Sequence, residues 1–296
     1  MPYFLFVVIC VIWGSNFILM KRSAEYFSPI GVGAWRAVGG VVVLSLLYFV
    51  TQQRKLVRRT DLLPLLVVVV LGFVWPHSLQ PELVRRHGGA FVGMTVGFTP
   101  LMTILLSIPI LGIWPTQRQV VGVIGALICI FMLFGDLERH NVPTVDILLA
   151  FSVPFSYSIA NGIIRRSLTH LPALELTLLC LGIAAFILIP ASIMFGNDRP
   201  VDGERVLVAV AAVVVLGVIG TGLATFLFNR LVQEQGPLFA AMTTNLIPIG
   251  AVMWGHADGE QISSTQIAAL CGLLAMVSYV QFGSAKPSEV NLVTGD

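Results

Sequence analysis

The chain has 296 residues, of which 56% are hydrophobic and only 11% charged, whereas a soluble domain carries about 25% charged residues. An ordinary soluble enzyme is thereby excluded, and the net charge of +2 implies no nucleic-acid partner. Runs of about 20 apolar residues recur along the whole length, each able to cross a hydrocarbon core ~30 Å thick, so an all-α polytopic membrane protein is predicted. Stretches such as Val41 to Val50 and Val206 to Val218 do not alternate as the strands of a β-barrel would.

Taken in chain order, ten spans are predicted. The first five are Tyr3 to Met20, Pro29 to Val50, Leu62 to Gln80, Ala90 to Gly112 and Val120 to Phe134. The second five are Val145 to Ile164, Leu171 to Phe195, Val206 to Asn229, Leu238 to Gly255 and Ile267 to Phe282. The first lacks the basic leader and small-residue cleavage site of a signal peptide and reads as a retained helix. Short connections predict antiparallel neighbours, and the polar tail, 287–296, is expected to be disordered. Cys10, Cys129, Cys180 and Cys271 fall in apolar runs without C-x-x-C spacing, so they read as packing residues. No disulfide, metal or cofactor is expected.

Leu83 to Pro100, LVRRHGGAFVGMTVGFTP, recurs 148 residues later as LVQEQGPLFAAMTTNLIP, Leu231 to Pro248. Seven identities in eighteen positions exceed the roughly one or two that apolar composition gives by chance. Lys21-Arg22-Ser23 likewise returns as Arg165-Arg166-Ser167, which pairs Trp13 with Tyr157 and Asn16 with Ala160. The chain therefore reads as a duplication, 1–140 and 141–286. Five spans per half is an odd number, so the second copy enters the membrane from the opposite side and the repeat is inverted. Basic residues divide almost evenly between the two sides; the Arg54 to Arg59 cluster, the richest loop, points to both termini being cytoplasmic.

These residues resemble the EamA-type members of the drug/metabolite transporter superfamily. The likeness rests on Trp13-Gly14-Ser15, Lys21, Arg36, the segments holding Pro100 and Pro248, and Gly259-Glu260 followed by Gln266 and Gly272. It spans essentially the whole chain. The resemblance implies ten helices in two inverted five-helix repeats and leans toward exporters of amino acids, aromatic ones included, and related metabolites. One departure is visible: Ile113-Trp114 stands where the family usually has a glutamate, so a role for that acid survives only at Glu260.

Matching proline-interrupted apolar segments are the best sequence pointer to a transporter's binding site. Pro100 and Pro248 are the expected helix breaks and gating positions, and Thr95, Phe98, Thr99, Thr243 and Asn245 the expected lining beside them. Titratable and polar groups inside spans are functional candidates by default, which adds Asn16, His77, Gln80 and Asn161; Trp13, Trp75 and Tyr157 complete the set. Each has a plainer structural reading as interhelical glue or packing. Arg36 could pair with a substrate carboxylate, although snorkelling to the interface or bonding to a neighbouring helix end is the preferred expectation. Gly93-Met-Thr-Val-Gly97 reads as helix packing, and His256, Asp258 and Glu260 as a solvated loop rather than metal ligands.

The sequence thus predicts a secondary transporter of amino acids or related small metabolites, embedded in a bacterial inner membrane and working by alternating access through a cavity between the repeats. A monomer is compatible with it. Because the spans hold almost no carboxylates, a facilitator or exchanger is expected, with proton coupling through His77 as the alternative. A drug-like or other metabolite cargo is a further alternative. An intramembrane enzyme is the rival class, for which no nucleophile pair or metal motif is present in the spans.

Overall fold

A computed structural model describes residues 2–51, 57–198 and 203–281. The expected disordered tail, and Arg54 and Lys55 of the basic cluster, lie outside the described residues. Among the described residues the structure is helical throughout, and eight helical stretches are long and apolar enough to cross a membrane. A ninth apolar helix, Ser264–Val280, is shorter. Outward-facing side chains are apolar on all sides: Phe49, Phe131 and Phe186 are 72%, 73% and 79% exposed, as a lipid solvent permits and water does not. This is an integral membrane protein.

The first half begins with α1 (Pro2–Ser23) and α2 (Pro29–Thr51). A third rod follows as α3 (Leu62–Val69), a wide π-helical turn at Val70–Val74, and α4 (Trp75–His87). The rod runs past the predicted end at Gln80, because Glu82 pairs with Arg85 at 2.6 Å and with Arg86 at 2.5 Å, one helical turn apart, and supports the emerging end. Next come α5 (Gly89–Val96), α6 (Thr99–Leu111) and α7 (Gln117–Arg139), the last opened by a Thr116–Gln119 capping box.

The second half repeats the order. It has α8 (Thr144–Ser167) and α9 (Ala173–Phe195), then α10 (Gly203–Val215), a second wide turn at Leu216–Leu223, and α11 (Ala224–Gln235). After these stand α12 (Pro237–Ala241), a 3-10 turn at Met242–Asn245, α13 (Ile247–Ala257) and α14 (Ser264–Gln281). Gly88 ends α4 at φ 89°, ψ 165°, and Gly236 ends α11 at φ 91°, ψ 161°, a conformation that needs glycine. Both copies also interrupt the helix just before the repeat proline, which then sits in the first turn of α6 or α13, where a missing N–H costs nothing. The expected internal prolines are thus helix starters.

The halves interlock. A Cβ on Gly72, in the first wide turn, would stand 3.2 Å from the Ala160 methyl of α8, while Gly220, in the second, lies against Asn16 of α1. Those two contacts join equivalent positions, so each half seats its first helix on the other half's wide turn. On the adjoining face α2 meets the second turn backbone to backbone: a Cβ on Gly39 would stand 3.0 Å from the Gly217 Cα. Such close approach is what packs helices in lipid, where apolar surface supplies no driving force. Gly39→Val is expected to cost about 1–3 kcal/mol of overpacking and to lower the thermal midpoint in detergent. Gly182→Ala, where an added methyl meets nothing within 4 Å, should leave it unchanged or higher; equal midpoints would contradict this packing.

Candidate functional site

Between the halves lies a cavity of about 90 Å³, room for a cluster of waters or a polar fragment, since one water needs roughly 10–15 Å³. The first half contributes Trp13 and Asn16 from α1, Arg36 from α2, His77 and Gln80 from α4, and Thr99 from α6. The second contributes Tyr157 and Asn161 from α8, Phe228 and Asn229 from α11, and Thr244. Helical spacing explains the selection: Phe73, His77 and Gln80 recur at i, i+4 and i+7 and share one face.

Hydrogen bonds fix the wall. Trp13 Nε1 and Asn16 Nδ2 both donate to the Gly220 carbonyl of the second wide turn, at 3.0 and 3.2 Å. Arg36 Nε donates to Thr221 Oγ1 at 3.0 Å. Tyr157 donates to Gln80 Oε1 at 3.4 Å, and Asn229 Nδ2 to Thr177 Oγ1 at 2.8 Å. Two cavity-lining residues each hold a buried side-chain atom without a hydrogen-bond partner, Asn16 Oδ1 and His77 Nδ1, a rare condition for buried polar atoms.

Seven of the twelve sequence-predicted lining residues therefore meet at one cavity: Trp13, Asn16, His77, Gln80, Thr99, Tyr157 and Asn161. Four are placed elsewhere. Trp75, two residues before His77 and so on the far side of α4, is 39% exposed and bonds Ser152 Oγ at 2.9 Å. Thr95 turns its hydroxyl to the Val92 carbonyl and Thr243 to that of Ala240, each within its own turn. Phe98 is buried against Phe151, ring centroids 5.5 Å apart. The side chain of Asn245 lies outside the described residues. Arg36 does not snorkel; it is 5% exposed and faces the cavity. Phe228, Asn229 and Thr244 were not singled out by the sequence, although Asn229 is a polar residue at the end of a predicted span.

Beyond Met20, the last α1 residue on the cavity, the chain enters an ionic cluster. Lys21 Nζ lies 2.6 Å from Asp258 and 2.9 Å from Glu260, and Arg22 pairs with Asp258. Glu260 also accepts from the backbone N–H groups of Gly89 and Ala90 at 2.9 and 3.0 Å, capping α5 where unpaired N–H groups and the helix dipole favour an anion. The expectation of a solvated loop at Asp258 and Glu260 is not met, their side chains being 11% and 13% exposed. The matching residues of the other half behave differently. Arg165 and Arg166 donate instead to the carbonyls of Gln233 and Ile110, at 2.5 and 2.9 Å.

The profile of the EamA-like transporter family matches residues 1–135 and again 145–280. The chain belongs to that family. Among its relatives, the uncharacterized transporter YyaM of Bacillus subtilis (strain 168) is 23% identical over 90% of this chain and 88% of its own length. An S-adenosylmethionine/S-adenosylhomocysteine transporter of Chlamydia trachomatis serovar L2 is 23% identical over 86% of this chain and 81% of its own. A similar transporter of Chlamydia muridarum is 21% identical over 86% and 83%. A solved crystal structure, 16% identical and covering 95% of this chain and 97% of that one, has the same fold with a TM-score of 0.69.

Removing the Glu260 carboxylate should loosen this end of the EamA-like bundle in two steps. Glu260→Gln keeps one oxygen, and with it one of the two α5 cap bonds, while losing the Lys21 charge pair, whereas Glu260→Ala loses the pair and both cap bonds. Ala is expected to be the more destabilising by about 1 kcal/mol, the usual worth of a cap, read as a lower thermal midpoint in detergent. Equal midpoints would mean that the cap contributes nothing.

Proposed function

We propose that the protein exports amino acids or related small metabolites across a bacterial inner membrane by alternating access through the central cavity. Its chain crosses ten times, in two inverted five-helix repeats, 1–140 and 141–286, with both termini in the cytoplasm. The broken segments before Pro100 and Pro248 and the two wide turns are the hinges.

The observation that carries this reading is a cavity walled by both halves and lined by polar residues, among them Asn16 and His77, each with a buried atom that has no hydrogen-bond partner. Polar groups at membrane depth are costly unless they meet each other, water or a solute, and inward-facing sites at a repeat interface are where carriers bind. The relatives named for S-adenosylmethionine and S-adenosylhomocysteine handle compounds that end in an α-amino acid group, which agrees with an amino-acid-type cargo. The scarcity of carboxylates on the cavity supports an exchanger; His77, on its wall, is where proton coupling would reside.

In proteoliposomes, counterflow of a radiolabelled amino-acid panel should show exchange of at least one member. Asn16→Ala should slow it about fivefold, the worth of one hydrogen bond. In the same preparation Arg86→Cys and Glu234→Cys, each in a chain freed of native cysteines, should react with an impermeant maleimide from opposite faces. No exchange, or labelling from one face only, would contradict the proposal.

A further inference from the structure

We infer that the cavity recognises a carboxylate on its solute through Arg36 and selects against solutes of net positive charge. This rests on the proposed transport through the same cavity and goes further, by fixing the chemical class of the cargo.

Arg36 is 5% exposed, inside a membrane-embedded bundle. Its Nε meets Thr221 Oγ1 at 3.0 Å and Nη1 lies 3.5 Å from Met20 Sδ. The first partner is neutral and the second a weak acceptor, while a guanidinium has five N–H donors. Among the described residues no carboxylate pairs with Arg36, and none lines the cavity. Partly buried cations elsewhere are matched: Lys21 has Asp258 and Glu260, and Arg22 has Glu25 and Asp258. A buried charge held without a counter-ion is strongly unfavourable, so its persistence on a cavity wall calls for an anion from outside the chain.

A carboxylate meets the need, since its two oxygens match the guanidinium fork. A cation would add like charge instead. At ~6 Å and an effective dielectric near 20, the repulsion weakens binding on the order of a hundredfold. The rest of the wall describes the rest of the solute. Trp13 and Phe228 stand with ring centroids 4.9 Å apart, and with Phe73 and Tyr157 they offer an apolar, aromatic surface. The solute is thus a carboxylic acid, zwitterionic or net negative, with an apolar or aromatic body. S-adenosylhomocysteine, a zwitterion, satisfies the rule; S-adenosylmethionine, whose sulfonium adds a positive charge, does not.

The test uses a thiol on the cavity wall, Thr225→Cys, in a full-length chain whose four native cysteines are serine, and measures protection from maleimide. Phenylpropanoate, phenylalanine and phenethylamine share one ring and differ in charge. Half-protection by the amine should need at least about tenfold more compound than by either acid. S-adenosylhomocysteine should likewise protect better than S-adenosylmethionine. Arg36→Gln should erase the preference and Arg36→Lys keep it; the panel on the chain with Arg36 intact stands even where a variant fails to fold. Equal protection by all three compounds overturns charge selection while leaving the cavity as the solute site, and so does a preference that survives Arg36→Gln. Protection by none of them overturns the inference too. If a solute that the liposomes exchange never protects the thiol, the cavity reading itself falls.

Discussion

The structure depends on how α1 is seated against the second half of the chain. Three contacts hold it, two at one depth on different faces of α1 and one at its end. Near the middle a Cβ on Gly14 would stand 3.2 Å from the Gly250 Cα, close enough to bring the two backbones together. At cavity depth Trp13 and Asn16 share the Gly220 carbonyl. At the end Lys21 and Arg22 meet Asp258 and Glu260. Helices in lipid gain little from apolar burial against one another, so backbone proximity and polar contacts decide their association. The cavity is a by-product of this seating: the second wide turn, held at α1, presents Thr221 to Arg36.

The two halves use the same backbone devices at matching places: a wide turn, a glycine at positive φ, and a break before the repeat proline. They do not use the same side chains. Where the first half's basic pair finds three carboxylates, the second half's pair finds carbonyls among the described residues. One end of the bundle is therefore closed by charge pairs that also cap α5, and the other by neutral acceptors. In the proposed carrier the two ends would open at different cost, with the charged end the harder to part.

Much of this was legible in the sequence. The repeat around Pro100 and Pro248, and the return of Lys21-Arg22-Ser23 as Arg165-Arg166-Ser167, disclosed a duplication. The rule that polar groups in spans face inward found Asn16, His77, Gln80 and Asn161. Proximity in sequence to a proline was the weaker guide: Thr95, Phe98 and Thr243 stand near the breaks but turn to their own backbone or to packing. Trp75 failed for a related reason, since composition says nothing of which side of a helix a residue occupies, and it lies away from His77 on α4. Neither wide turn has a sequence signature among its apolar residues. Arg36 was visible as a deep charge, yet its burial became meaningful only once no carboxylate was found beside it.

The central claim is that solute reaches the cavity when one end parts while the other holds. The charged end is where α1 meets the start of α5: a Cβ on Gly89 would stand 3.0 Å from the Phe17 Cβ, so the two helices need part by only about half an ångström or more to reach the Cβ spacing of a disulfide, ~3.5–4.5 Å. Phe17→Cys with Gly89→Cys, in a chain otherwise without cysteine, allows this end to be locked by oxidant and freed by reductant. In proteoliposomes the locked protein should lose exchange of a labelled amino acid and regain it on reduction. Undiminished exchange by fully cross-linked protein would show that this end never opens, and would contradict the account.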